Sequence, residues 1–390
     1  MSRVTFQKTH SLLKRWAVPE IFGKGSLASA IRDQSRFAKK LVKTPLPALN
    51  PLFAFAFRTK YEKSPNLKTT RTTIELYDGG AVGIDRMELE DTTSDDFNTN
   101  NSKPVILVFP GGNENTYSTK VQTLCSSYLN AGYPDIYMCN YRGRCNTPFR
   151  TPQFSIPYGK FNEVGAIVSH INKTFKGRPI LLAGDCFGGY CIVDYLTSTE
   201  VDANVVGGVV HSVQWNADSA NKKLMVEPNY SLYVKPWAKY TKNLLVSGKK
   251  GNEEFAKQVY EKIGKERFAV LTSLSMEQPY DLLQLYRIGL SRLAEGAFTD
   301  EEDYMNKTSP HKRIENSSLS KPLIVINADD DPTAPIDLDD IEIMERDPNL
   351  CLWLFACGGH CSYVKHLFPA TNFIDEVMVE CSDILVKNFG

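Results

Sequence analysis

A chain of 390 residues is long enough for one large domain with an insertion, or for two domains. Its 45 Lys and Arg are offset by 45 Asp and Glu, so no overall field draws it towards a polyanion, and no nucleic-acid partner is expected. Nine cysteines form no Cys-x-x-Cys pair and follow no secretory signal, which argues against a disulfide framework and for a reducing compartment where most are small buried hydrophobes.

The chain opens on a basic segment, with ten Lys or Arg against Glu20 and Asp33 in the first 48 residues. Residues 1–18 hold no acid, and Phe6, Leu12, Leu13 and Trp16 could share a helical face opposite Arg3, Lys8, Lys14 and Arg15. That pattern fits a mitochondrial presequence, an interfacial helix lying on anionic lipid, or a solvated tail. We therefore read residues 1–60 as a segment apart from a domain at 61–390. The location expected is cytoplasmic or peripheral to a membrane, with mitochondrial import as the alternative. The longest apolar stretch, 46–57, is broken by Pro47 and Pro51 and is too short to span a bilayer, so no transmembrane helix is expected.

Two strand-like runs follow, 71–76 and 81–89, joined by the hairpin punctuation Tyr77, Asp78, Gly79 and Gly80. A polar loop is expected over 91–103. From Pro104 onward, short apolar runs at 105–109, 135–140, 179–183, 205–210, 323–327 and 351–355 read as buried strands. Helical stretches such as 118–130 and 161–175 separate the early ones. This alternation predicts an α/β fold, a mostly parallel sheet with helices on both faces. Between about 216 and 320 the alternation stops and helical patterns such as 253–263 and 279–293 take over, predicting a helical cap over the carboxyl edge of the sheet, where ligands bind in open α/β folds. No internal repeat is present.

The strand ends carry the chemistry. Run 105–109 leads into Pro110, Gly111 and Gly112, a turn whose backbone N–H groups are free to face a developing oxyanion. Run 179–183 leads into Gly184, Asp185, Cys186, Phe187, Gly188 and Gly189, which is G-x-S-x-G with cysteine for serine in the strand-turn-helix setting that this motif requires. There a helix N-terminus and a neighbouring imidazole would both favour the thiolate, the better nucleophile. The competing reading is a buried cysteine in a glycine-rich turn; the elbow setting favours the nucleophile. Run 323–327 leads into Asp329, Asp330 and Asp331 ahead of Pro332, which nominates Asp331 as relay acid and Asp330 as runner-up. Three contiguous Asp without His or Cys spacing make poor metal chemistry. Of the six histidines, His360 follows the last strand run and two glycines, so a loop can deliver it to the elbow. His211 also ends a strand and stays open. Gly112 and the N–H of Phe187 complete an oxyanion hole, and neither a metal nor an organic cofactor enters this chemistry.

From about Arg71 to the C-terminus the chain resembles the AB hydrolase-4 branch of the α/β-hydrolase superfamily. The resemblance rests on Asp78-Gly79-Gly80 with Ile84-Asp85, Pro110-Gly111-Gly112, Asn140-Tyr141-Arg142-Gly143, the elbow, Gln214-Trp215-Asn216, Asn327-Ala328 with Asp330-Asp331-Pro332, and Gly358-Gly359-His360. It implies the α/β-hydrolase fold and an enzyme of the short-chain carboxylesterase, monoacylglycerol lipase or medium-chain phospholipase kind. The acid it implies is Asp331 and the base His360. Cys186 departs from the family's serine; a cysteine nucleophile occurs elsewhere in the superfamily, in dienelactone hydrolases. The expected function is hydrolysis of carboxylic, lipid acyl esters through an acyl-enzyme on Cys186. Its rivals are a non-catalytic relative that binds a lipid or protein, and a dienelactone or thioester hydrolase. The partner implied is a small ester or lipid, with peripheral membrane contact through the basic N-terminus and no obligate protein partner.

Overall fold

Strands built almost wholly of apolar or small residues can be covered on both faces, and five runs of this chain are of that kind. In the computed structural model they form β4 (Val105–Phe109), β6 (Ile180–Asp185), β7 (Val205–His211), β8 (Leu323–Ala328) and β9 (Leu350–Phe355), each buried along its whole length. The structure describes residues 19–39, 58, 60–90, 103–112, 114–151, 155–159, 162–236, 239, 253–266, 268–269, 298–299, 301–367 and 370–390. With β1 (Glu20–Phe22), β2 (Leu67–Glu75), β3 (Ala81–Leu89) and β5 (Ile136–Asn140) they build a nine-stranded sheet in the order β1-β9-β8-β7-β6-β4-β5-β3-β2. The six strands from β9 to β5 run parallel, and the hairpin β2–β3 and the strand β1 join antiparallel at the two edges.

The period-2 alternation of a strand sorts its side chains into two cores. Val105, Leu107 and Phe109 pack on the face covered by α3 (Val164–Thr174) and α4 (Phe187–Leu196), with Ile180 and Leu182 beside them. Ile106 and Val108, with Leu181 and Ala183, pack on the opposite face under α1 (Ser26–Gln34), α2 (Thr119–Asn130) and α10 (Ile374–Phe389). The C-terminal helix places Ile374, Val377, Met378 and Cys381 on one stripe, the spacing an amphipathic helix needs.

The expected boundary at residue 60 is corrected by this architecture. Glu20, Ile21 and Phe22 pair with Leu354, Trp353 and Leu352, and Leu27, Ala28 and Ile31 of α1 sit in the core beneath β8 and β9. Residues 20–39 are therefore part of the sheet's own layer; the short strand stops the β9 edge from being an open pairing template. The amphipathic pattern over 1–18, most of the 91–103 loop and the 279–293 helix lie outside the described residues. Between residues 216 and 320 the described residues include the helices α5 (Ala217–Leu224), α6 (Glu253–Ile263), α7 (Glu301–Thr308) and α8 (Pro310–Asn316). Beyond them, α9 (Leu338–Met344) links β8 to β9. Among the described residues no helix is long and apolar enough to cross a membrane.

Candidate active site

Parallel strands bring their carboxyl ends to one edge, and four of them deliver a residue singled out by the sequence: Gly112 after β4, Cys186 after β6, Asp331 after β8 and His360 after β9. The tight reversal from β6 into α4 forces Cys186 to φ 48°, ψ −114°, a left-handed backbone that a side chain occupies only under constraint. Glycine at the flanks is what permits it. A Cβ on Gly188 would lie 1.9 Å from the Phe109 carbonyl oxygen, and one on Gly184 2.9 Å from that same oxygen. The Cys186 N–H donates to the His211 carbonyl at 3.0 Å, tying the elbow to β7. Cys186 is half-buried at the helix N-terminus.

His360 Nδ1 meets Asp331 Oδ2 at 2.8 Å, with the carboxylate buried and the imidazole half-buried. The other Asp331 oxygen accepts from Thr333 N–H and Oγ1–H, both 2.8 Å, and from Ala334 N–H at 3.1 Å, so the carboxylate is held in one orientation. Burial by itself would raise the Asp331 pKa; the His360 charge and these hydrogen bonds outweigh it and hold the carboxyl below its ordinary value. His360 shows the mirror case. Burial by itself would lower its pKa, but the Asp331 carboxylate overrides this and holds the imidazole well above the usual value for histidine. Asp331 engages Nδ1, and the imidazole also meets the Cys361 thiol next to it in sequence.

Asp330 takes a different post: its Oδ1 accepts the N–H groups of Gly358 and Gly359 at 2.9 and 2.8 Å, shaping the loop that presents His360. His211 is joined to the elbow through its backbone, while its buried ring packs edge-on to Tyr363 and burial pushes its pKa down to about 3. His311 is bound to Asp340 at 2.6 Å and links α8 to α9. Gly112 lies against the residue that follows Cys186, since a Cβ on it would be 3.5 Å from the Phe187 Cβ. Phe187 is the first residue of α4, where an N–H has no intrahelical acceptor.

The remaining motif residues brace these loops. Asp85 receives Arg71, Thr116 and Asn140, with Asn140 Nδ2 at 3.1 Å. Arg142 joins Glu163 at 2.7 Å and Asp78 at 2.5 Å. Asn327 donates to the Val213 and Ala334 carbonyls at 2.9 and 3.0 Å, stitching the exits of β7 and β8 together. Arg58 and Lys120, which sequence reasoning passed over, and Asp185, to which it gave no role, also brace these loops. Arg58 donates to the Cys361 carbonyl at 2.8 Å, and Asp185 and Lys120 form an ion pair at 3.4 Å behind Cys186. Arg58 and Lys120 are far in sequence from what they touch, so no local pattern announces them.

No family model matches the chain. It is similar to phospholipase ABHD3 of Mus musculus, at 23% identity over 325 residues covering 83% of this chain and 74% of that protein. It is also similar to an abhydrolase domain-containing protein of Dictyostelium discoideum, at 24% identity over 307 residues covering 77% of this chain and 70% of that one. A solved fungal esterase of Rhizomucor miehei aligns with a TM-score of 0.49 at 14% identity, covering 87% of this chain and 91% of the other.

Proposed function

We propose that this chain, an α/β-hydrolase homologous to the ABHD3 phospholipases, cleaves carboxylic esters through a thioester acyl-enzyme on Cys186, with lipid acyl esters as the substrate class. The observation that carries the reading is the 2.8 Å contact of His360 with a fully ligated Asp331, on a loop beside a positive-φ nucleophile elbow. Asp331 raises the His360 pKa, and a thiolate at Cys186 would add to that, so the imidazole and a thiolate would stabilise one another.

In this reading the Cys186 thiolate attacks the ester carbonyl, and the oxyanion forms against the N–H groups of Gly112 and Phe187. As the tetrahedral species collapses, the C–O bond breaks and His360 Nε2–H protonates the leaving alcohol. Neutral His360 then takes a proton from water, whose oxygen attacks the thioester. The C–S bond breaks, the acid departs, and the thiolate–imidazolium pair is restored. Asp331 orients the imidazole and balances its charge throughout. The name of the mammalian relatives makes phospholipid acyl esters the first lipids to assay.

The test is turnover of a p-nitrophenyl ester and a medium-chain phosphatidylcholine by wild type, Cys186→Ala and Cys186→Ser. Cys186→Ala should abolish turnover, and Cys186→Ser should be slower than wild type on the activated ester. A silent wild type that gains activity as Cys186→Ser would mean that cysteine switches off an intact hydrolase scaffold, and the reading would fall.

A further inference from the structure

Asp185 stands directly before the nucleophile, and its carboxylate is spent entirely on the loops around it. Its Oδ1 accepts the Gly111 N–H at 3.1 Å. Its Oδ2 receives Lys120 Nζ at 3.4 Å and the Cys361 thiol at 3.6 Å. Lys120 is held in turn by Glu114 Oε1 at 2.6 Å, and the Glu114 N–H closes the turn onto the Gly111 carbonyl at 2.9 Å. On the other side, Tyr141 Oη donates to the Pro110 carbonyl at 2.8 Å. Both peptide planes around Gly111 are therefore pinned, and the Gly112 amide that follows can point in one direction only. The same carboxylate touches the residue after His360.

A buried anion beside a thiolate nucleophile opposes it. Nothing in the elbow's geometry requires one there, because the glycines that relieve the turn are at 184 and 188. We propose that Asp185 is a positioning residue: it fixes the oxyanion turn at Gly111–Gly112 and the histidine loop at Cys361 in register with Cys186, while Lys120 offsets its charge. The proposal rests on the ester-hydrolase reading for its catalytic consequence but not for its structural one.

Two variants and three readouts separate these. Asp185→Leu removes the acceptor, whereas Asp185→Asn keeps a neutral one for the Gly111 amide. Removing one oxyanion donor typically costs 10²–10³ in kcat, so loosening it in Asp185→Leu should lower kcat about 100-fold with KM within about twofold, and Asp185→Asn should recover part of the loss. Alkylation of Cys186 by iodoacetamide uses no oxyanion hole and should hold its rate or quicken, because a neighbouring negative charge is gone. Amide exchange at Gly111, followed by mass spectrometry across the 110–118 turn, should accelerate while β4 and β6 keep their protection. A merely structural role would slow alkylation together with hydrolysis and deprotect the strands, and that result overturns the proposal. Unchanged exchange in the turn, or full kcat in Asp185→Leu, overturns it as well. Should wild type hydrolyse no ester, the exchange experiment still judges Asp185 by itself, and the loss falls on the functional reading alone.

Discussion

Gly188→Ala is the sharpest perturbation available, because its consequence can be worked from one distance. The added Cβ would be 1.9 Å from the Phe109 carbonyl oxygen and 2.4 Å from its carbon, where real Cβ contacts stay beyond 3.0 Å. Neither partner is a flexible side-chain end: one is the last residue of β4 and the other the first turn of α4. Helix and strand must separate by about 1 Å in a close-packed core, at a cost of about 1–3 kcal/mol. Phe109 leads into Pro110 and Gly111, so the shift passes to the turn proposed to hold the oxyanion, where a misplacement of about 1 Å can cost on the order of 10²-fold in rate. Urea unfolding and p-nitrophenyl ester kinetics on the same preparation measure both. The control is Gly165→Ala in α3, whose Cβ would meet Tyr195 at an ordinary 3.5 Å and should change stability by no more than about 0.5 kcal/mol. A folded Gly188→Ala protein with unchanged midpoint and unchanged kcat would refute the packing account of the elbow.

Asp331→Asn should lower kcat by about 10²–10⁴, and because Asp331 is the main influence raising His360, the histidine pKa should fall with it. His360's contribution to stability is fully present below the ordinary histidine pKa while Asp331 stays ionised, and it is lost as pH rises through the raised one, so the variant should lack that alkaline loss and its alkaline pH–rate limb should move to lower pH. Limiting iodoacetamide should label Cys186 first, with Cys145 and Cys357 as the other thiols that are not fully buried; adducts on Cys125 or Cys381 before Cys186 in folded protein would contradict the nucleophile assignment. Removing residues 1–48 should lower the unfolding midpoint by more than removing residues 1–18, because Leu27, Ala28 and Ile31 belong to the core. Equal midpoints for the two truncations would show that β1 and α1 add nothing to the domain.

The sheet was legible because its strands are short apolar runs set off by glycine and polar turns. All eight runs from 71–76 to 351–355 appear as strands, with ends shifted by a few residues at most. The first strand was not legible. Three residues, Glu-Ile-Phe, carry too little pattern, and the basic charge of the segment masks Leu27, Ala28 and Ile31, a buried face one helical turn long. The stripe of the C-terminal helix was present in the sequence and went unread. At the site, residues that follow strands could be placed by order alone, since the fold gathers strand ends. Asp331 was nominated from its place before Pro332, but the separate post of Asp330 needed coordinates: adjacent carboxylates are alike in sequence, and only the turn shows one meeting His360 and the other meeting the Gly358 and Gly359 amides. The Asp185–Lys120 pair joins residues 65 apart and depends on how α2 lies across the sheet, which no local signal encodes.

The central claim is a covalent acyl group on Cys186. Rapid quench of wild type with a p-nitrophenyl ester, followed by intact-mass and peptide analysis, tests it directly. The account predicts one acyl mass increment on the peptide holding Cys186, removed by neutral hydroxylamine as a thioester is, absent from Cys186→Ala, and longer-lived in His360→Ala if that variant acylates at all. Turnover in wild type with no such adduct under any quench time, or an adduct that persists in Cys186→Ala, would contradict it.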